Sequence, residues 1–228
     1  SAPFLLAVAI AVLAGCGDSA STATTTTTTA STASTVQLLV SNQQMLSSAT
    51  ASTVLTAVVL DANGQAMSDQ VVVFSKGTDS TAYFTNVSAT TDANGIATAT
   101  LNIGTNMANR VISVSATAGT AVGTNTVTVA GTKIAISGNT SLALNASSTL
   151  TIIVKDSTNM PVPGVTLAVA SQNGNASVLT PTTGITDPNG QITAAVTATI
   201  AGTGTDVLTV TGAGASQTQT LTINSASF

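Results

Sequence analysis

"LTAVVLDANGQAMSDQVVVF", residues 55–74, aligns without a gap on "LTIIVKDSTNMPVPGVTLAV", residues 150–169. A second pair, "TDANGIATATL" (91–101) and "TDPNGQITAAV" (186–196), follows in the same order at the same offset of 95 residues. Two landmarks at one spacing define an internal repeat. The boundary falls near Ala130–Thr132, so the units run over 36–130 and 131–228.

Within each unit the apolar period is two. Leu55, Ala57 and Val59 alternate with Thr56 and Val58, and Leu150, Ile152 and Val154 repeat the pattern. Ala97, Ala99 and Leu101 alternate with Ile96, Thr98 and Thr100; Ile112, Val114 and Ala116 continue the pattern, as do Leu208, Val210 and Gly212. A period of two is that of a half-buried strand, and no stretch of either unit keeps a helical period. Turn signals separate the runs: "DANG" at 61–64 and 92–95, "GTDS", "GTNMAN" and "TAGTAVGTN". Six or seven short strands in about 95 residues with regular turns read as a β-sandwich. The expected fold is therefore all-β: two tandem Ig-like antiparallel sandwiches. Their link is only a few residues, which predicts end-to-end stacking.

The acidic residues sit where turns need them. Asp61 with Gly64, Asp92 with Gly95 and Asp187 with Gly190 pair a side chain that bonds nearby backbone with a residue that accepts positive φ. The carboxylate pairs Asp61/Asp69 and Asp156/Asp187 have the same explanation. "DANG" resembles the start of a calcium loop, but no Glu closes it at the twelfth position.

Composition narrows the function further. The chain has no His, one Cys, four Lys+Arg and eight Asp+Glu, all of them Asp. No imidazole base is available for catalysis, and neither a Cys/His metal site nor an intrachain disulfide can form. No enzyme activity, metal or cofactor is expected. A net charge of −4 with four scattered cations excludes a nucleic-acid footprint. Charged residues make up 5% against a usual figure of about 25%, leaving a surface of Thr, Ser, Asn and Gln suited to a secreted or surface protein.

The N-terminal "PFLLAVAIAVLAG" (Pro3–Gly15) is an apolar run of thirteen residues, too short to span a membrane and of the length of a signal-peptide core. No charged segment precedes it, so residues 1–15 read as a signal peptide with a truncated start. Leu13-Ala14-Gly15-Cys16 resembles the lipobox of bacterial lipoproteins. That resemblance implies cleavage between Gly15 and Cys16, lipidation of the Cys16 thiol, and a membrane as partner through that anchor. The implied localisation is the bacterial cell envelope, on an outer membrane facing periplasm or cell surface. Residues 16–35 are a Ser/Thr-rich tether with almost nothing to bury.

"LTAVVLDANGQAMSDQVVVF…TTDANGIATATL…VISVSAT" resembles the bacterial immunoglobulin-like domain of invasin and intimin. The first unit carries the Phe74 and Thr91–Ala97 elements of that pattern; "NMPVPGV" (159–165) is kept only in the second, which has Val169 for the Phe and Ile192 for the Ala. The resemblance covers roughly 36–225 and implies a rod-forming module. The expected function is a non-enzymatic stalk or a structural and adhesive display module. The alternative is an adhesin or carbohydrate-binding accessory module using loops at one sandwich end, "GTNMAN" (104–109) and "SQNGN" (171–175), with an extracellular protein or glycan ligand left unidentified. Tyr83 and Phe84 are adjacent on a strand and point to opposite faces, while Phe74 belongs to the core. Because Phe74 and Tyr83 face Val169 and Val178 at the repeat offset, the second unit is expected to bury less aromatic surface and melt first.

Overall fold

The computed structural model describes residues 32–174, 176–180, 183–199 and 204–225, and among them there is no helix. Strands are numbered in chain order. In the first repeat one sheet is β1 (Thr35–Val40), β3 (Ser52–Leu60), β6 (Ile96–Asn102) and β5 (Tyr83–Thr85), in that spatial order. The facing sheet is β2 (Gln44–Leu46), β8 (Ala121–Ala130), β7 (Arg110–Ala118) and β4 (Val73–Ser75).

The second repeat has the same plan. β9 (Lys133–Gly138), β11 (Ser147–Lys155), β15 (Gln191–Ala198) and β13 (Ala176–Thr180) form one sheet. β10 (Ser141–Ala143), β17 (Ala215–Asn224), β16 (Gly204–Gly212), β12 (Thr166–Ser171) and β14 (Thr183–Ile185) form the other.

The alternation seen in the sequence is the alternation of burial. Leu55, Ala57 and Val59 on β3, Ala97, Ala99 and Leu101 on β6, and Ile112, Val114 and Ala116 on β7 are all buried. Leu150, Ile152 and Val154 do the same for the second core with Leu208 and Val210. Each fully buried Leu, Ile or Val contributes about 2 kcal/mol of apolar transfer, and each repeat assembles its own cluster.

The strand count exceeds the expected six or seven, with β1–β8 in one repeat and β9–β17 in the other. The main reason is that the opening strand of each unit changes sheets. β1 pairs antiparallel with β3, and after Ser41–Gln43 the chain reappears as β2, parallel to β8. β9 and β10 repeat the switch, with β10 parallel to β17. These two three-residue ladders are the parallel exceptions in otherwise antiparallel sheets, and each covers a last strand that would be an open edge.

Register also revises one alignment. Phe84 stands opposite Leu101, and Val178 stands opposite Val196, the counterpart of Leu101. Val178 therefore matches Phe84; Tyr83 matches Ser177, because a single-residue step separates the two β5-type strands. Tyr83 is half exposed, whereas Phe84 is half-buried and meets Phe74 with ring centroids 6.2 Å apart. The aromatic pair of the first repeat is thus Phe74–Phe84. The second repeat refills that volume elsewhere: Ile152 faces Ile192 where the first has Ala57 opposite Ala97. The expected order of melting loses its basis, because aromatic surface was exchanged for aliphatic volume. Ala57→Ile or Ala97→Ile should overpack the first core by about 1–3 kcal/mol, seen as a lower midpoint in urea, while Ile192→Ala should cost about 2–5 kcal/mol in the second. Either replacement leaving the midpoint unchanged would contradict this packing.

Candidate functional site

Four turns are built identically. Asp61 Oδ1 accepts from the N–H groups of Asn63 and Gln65, Asp92 Oδ1 from Asn94 and Ile96, and Asp187 Oδ1 from Asn189 and Gln191, all at 2.8–2.9 Å. Asp156 Oδ1 does the same for Thr158 and Met160. Each closes with a residue at positive φ, namely Gly64 (77°), Gly95 (72°), Gly190 (68°) and, in the Asp156 turn, Asn159 (65°). Asn tolerates that region because its side chain is short and polar. At Gly95 a Cβ would also lie 2.8 Å from the Val59 carbonyl oxygen, so conformation and space both require glycine there. These carboxylates hold backbone. Among the described residues there is no cluster of three metal-ligating side chains.

The connection leaving β4, and its counterpart leaving β12, is anchored differently in each repeat. In the first, Asp79 Oδ1 accepts from Thr81 N, Thr81 Oγ1 and Ala82 N, and its Oδ2 accepts from Arg110 Nε at 2.7 Å. The Arg110 Nη1 group donates to the carbonyls of Asn106 and Ala108, and its Nη2 group to Ile103 O and Thr81 Oγ1. All five guanidinium N–H groups are committed, so the cavity of about 320 Å³ beside Arg110 and Lys76 gains no free guanidinium donor. Burial alone would raise the Asp79 pKa, but the Arg110 bond and the donors of Ala82 and Thr81 outweigh it and hold the carboxyl well below the usual range.

In the second repeat the strand supplies the acid. Asp206 on β16, fully buried, occupies the register position of Ile112 on β7. Its Oδ1 accepts from Asn173 N at 3.0 Å and its Oδ2 from Ser171 Oγ at 2.7 Å, and Ser171 Oγ accepts in turn from Gly174 N. Sequence reading missed both anchors. The signal available was an Asp two residues before the apolar set Leu208–Val210, on what should be its buried face.

The junction between the sandwiches is a set of specific contacts. Asn109, in the loop before β7, donates its backbone N–H to Ala213 O in the β16–β17 turn. Its Nδ2 donates to Thr132 O at 3.0 Å and to Gly214 O at 3.4 Å, and its Oδ1 accepts from Thr132 N at 2.9 Å. A Cβ on Gly214 would lie 2.1 Å from the Asn109 carbonyl oxygen, so this approach needs glycine. On the other side Ser47, fully buried, donates its N–H to Ala130 O and accepts from Ser157 N at 3.0 Å through Oγ. Eleven residues separate β1 from β3, against eight between β9 and β11. That longer connection carries Ser47. Met107 packs against both hydrophobic cores, and its carbonyl accepts from the Thr132 hydroxyl. The "GTNMAN" loop, a candidate ligand loop under the alternative reading, is therefore spent on the second repeat.

Of the residues singled out in the sequence, Gly15 and Cys16 lie outside the described residues, as does most of the tether. Asp61, Gly64, Asp92, Gly95, Asp187 and Gly190 lie in the turns described above, and Ser171–Gly174 of the "SQNGN" loop is tied to Asp206.

Residues 133–224, spanning β9 to β17, match the family model described as bacterial Ig-like domain (group 1). The second repeat is a bacterial Ig-like domain. The first repeat shares its Ig-like strand order. No curated protein matches the chain. Among solved structures, the adhesin InvE of Yersinia pseudotuberculosis is similar at 23% identity and a TM-score of 0.56, over 83% of this chain and 58% of its own. The chain thus spans little more than half of InvE, and the likeness is one of Ig-like fold. Invasin, a bacterial integrin-binding protein, aligns over 85% of this chain and 40% of its own at 22% identity and a TM-score of 0.44.

Proposed function

We propose that this chain is a non-enzymatic bacterial surface module, a short Ig-like stalk held on the cell envelope by lipid at Cys16. The observation that carries the reading is the junction. Asn109, Ser47 and Met107 fix one Ig-like sandwich to the next through loops that a ligand-binding module would keep open. A spacer benefits from such contacts because relative motion of its units shortens its reach. The surface supports the same reading: it is nearly uncharged, and its Asp side chains are used within turns. Anchoring rests on Leu13-Ala14-Gly15-Cys16 followed by a Thr-rich tether. Two or three acyl chains hold a protein on a bilayer far more firmly than one.

The test is fractionation of a producing bacterium. The wild-type chain should partition with membranes and start at a lipidated Cys16 by intact mass, and Cys16→Ser should move it to the soluble fraction. An unmodified Cys16 thiol, or a Cys16→Ser chain that stays with the membrane, would refute the anchor.

A further inference from the structure

The chain carries four Asn-Gly dipeptides: Asn63-Gly64, Asn94-Gly95, Asn173-Gly174 and Asn189-Gly190. This dipeptide is open to one spontaneous reaction, because a glycine nitrogen has no Cβ beside it to keep the asparagine side chain away. The glycine amide gives up its proton to solvent and its nitrogen attacks the asparagine Cγ. The new N–Cγ bond closes a succinimide, the Cγ–Nδ2 bond breaks, and Nδ2 leaves as ammonia. Water then opens the ring, at Cγ to give Asp or at the backbone carbonyl to give an isoaspartyl link that runs through Cγ.

The four sites are alike in sequence and unlike in what holds them. Gly64 N donates to Asp61 O at 3.1 Å, Gly95 N to Asp92 O at 3.0 Å and Gly190 N to Asp187 O at 2.8 Å. Each turn must open before its nitrogen is free, and a folded chain opens locally at a cost set by what else holds the segment. Gly95 and Gly190 are buried, and their carbonyls accept from Val59 N at 2.9 Å and Val154 N at 2.8 Å. A Cβ on Gly190 would lie 2.7 Å from Val154 O and 2.8 Å from Val162 N, the same crowding as at Gly95. Asn173 is pinned through its own groups: its N–H donates to Asp206 Oδ1, its Nδ2 to Thr205 O, and Gly174 N to Ser171 Oγ. Asn63 and Gly64 have none of these holds. Both are exposed, and no atom lies within 4 Å of a Cβ built on Gly64. Among the described residues, neither the Gly64 carbonyl nor the Asn63 side chain takes part in a hydrogen bond.

We infer that Asn63 is a site of spontaneous covalent modification in the folded protein, through a succinimide with Gly64, and that Asn94, Asn173 and Asn189 are spared. The consequence is confined to one turn. Asp61 Oδ1 spans the N–H groups of Asn63 and Gln65. An isoaspartyl link adds one backbone carbon between them, so the two bonds no longer fit one oxygen. The carboxylate formed also stands near Asp61, like charge against like. β3 ends at Leu60, ahead of the turn, so the core strands keep their register. At the repeat offset of 95 residues the second repeat has Asp-Ser-Thr-Asn at 156–159, with Thr158 in place of Asn63. In that turn Ser157 N donates to Ser47 Oγ across the joint. The joint-forming turn therefore lacks the reactive dipeptide that its counterpart carries.

The experiment holds the full chain, folded, in mildly alkaline buffer and follows the four asparagines by peptide mass mapping, with isoAsp separated from Asp. Asn63 should convert about tenfold faster than each of the others, a ratio equivalent to about 1.4 kcal/mol of local opening. That is the net worth of about one hydrogen bond, and each spared site has at least one more than Asn63. In concentrated urea all four should convert at similar rates, because the holds are gone. Asn63→Thr, which copies Thr158, should abolish the fast conversion. A folded chain in which Asn94, Asn173 or Asn189 keeps pace with Asn63 would overturn the assignment. So would an Asn63 that stays intact while the unfolded chain reacts, or a fast conversion that persists in Asn63→Thr.

Discussion

Ile112→Asp is expected to destabilise the first repeat by about 4–5 kcal/mol, enough to unfold most of it, even though the second repeat carries Asp206 at the equivalent position. The difference lies in what each site offers a carboxylate. Asp206 accepts from Asn173 N and Ser171 Oγ, groups of a loop shaped to reach it. Ile112 is 1% exposed within an aliphatic cluster, and the corresponding loop spends its polar groups on Asp79 and Arg110. A carboxylate there would be buried without partners, which a folded chain avoids by protonation or by unfolding. The reciprocal change, Asp206→Ile, should cost less, about 2–3 kcal/mol, because it strands a hydroxyl and a backbone N–H in a loop that water can reach. Urea titrations of the two variants should show that asymmetry. Equal losses, or a tolerated Ile112→Asp, would mean that the two loops are interchangeable.

Arg110→Met should cost the first repeat about 3–5 kcal/mol, as breaking a half-buried ion pair does. The methionine keeps the apolar stem but leaves Asp79 without its counter-charge and the carbonyls of Ile103, Asn106 and Ala108 without their donor. Acidity tests the same pair independently. Because the Asp79 pKa is lowered in the folded state, its stabilising effect is complete above the unfolded value of about 4 and is lost as pH falls from there through the folded pKa. The wild-type first repeat should weaken steadily as pH falls below about 4. Arg110→Met, already weaker at neutral pH, should show a shallower acid slope, since its Asp79 titrates nearer the ordinary value. Denaturation midpoints at several pH values measure both. Parallel slopes in the two proteins would show that Arg110 does not set the Asp79 ionisation.

Much of this fold was legible in the residues. Strand alternation at Leu55–Val59 and Leu150–Val154, the 95-residue repeat and the Asp–Gly turns are local features. An Asp61-type carboxylate satisfies N–H groups two and four residues on, so five residues carry the entire motif. Other features were closed to that reading. Tyr83 and Phe84 exchange meaning with a one-residue step in register, which only the ladder partner Leu101 decides. Asp206 reads as a break in an apolar pattern until Ser171 and Asn173 fold against it from 35 and 33 residues away.

The junction marks the same division most sharply. Ser47 meets Ser157 across 110 residues, and Asn109 meets Gly214 across 105. Ser, Asn and Gly are ordinary loop residues, and nothing about them in sequence distinguishes a solvated turn from a contact between domains. Inward-facing side chains and turn positions could be read from the residues alone, because periodicity and short-range hydrogen bonding need only near neighbours. Which loops serve as joints was decided only by tertiary structure, because their partners come within reach after two separate cores have condensed.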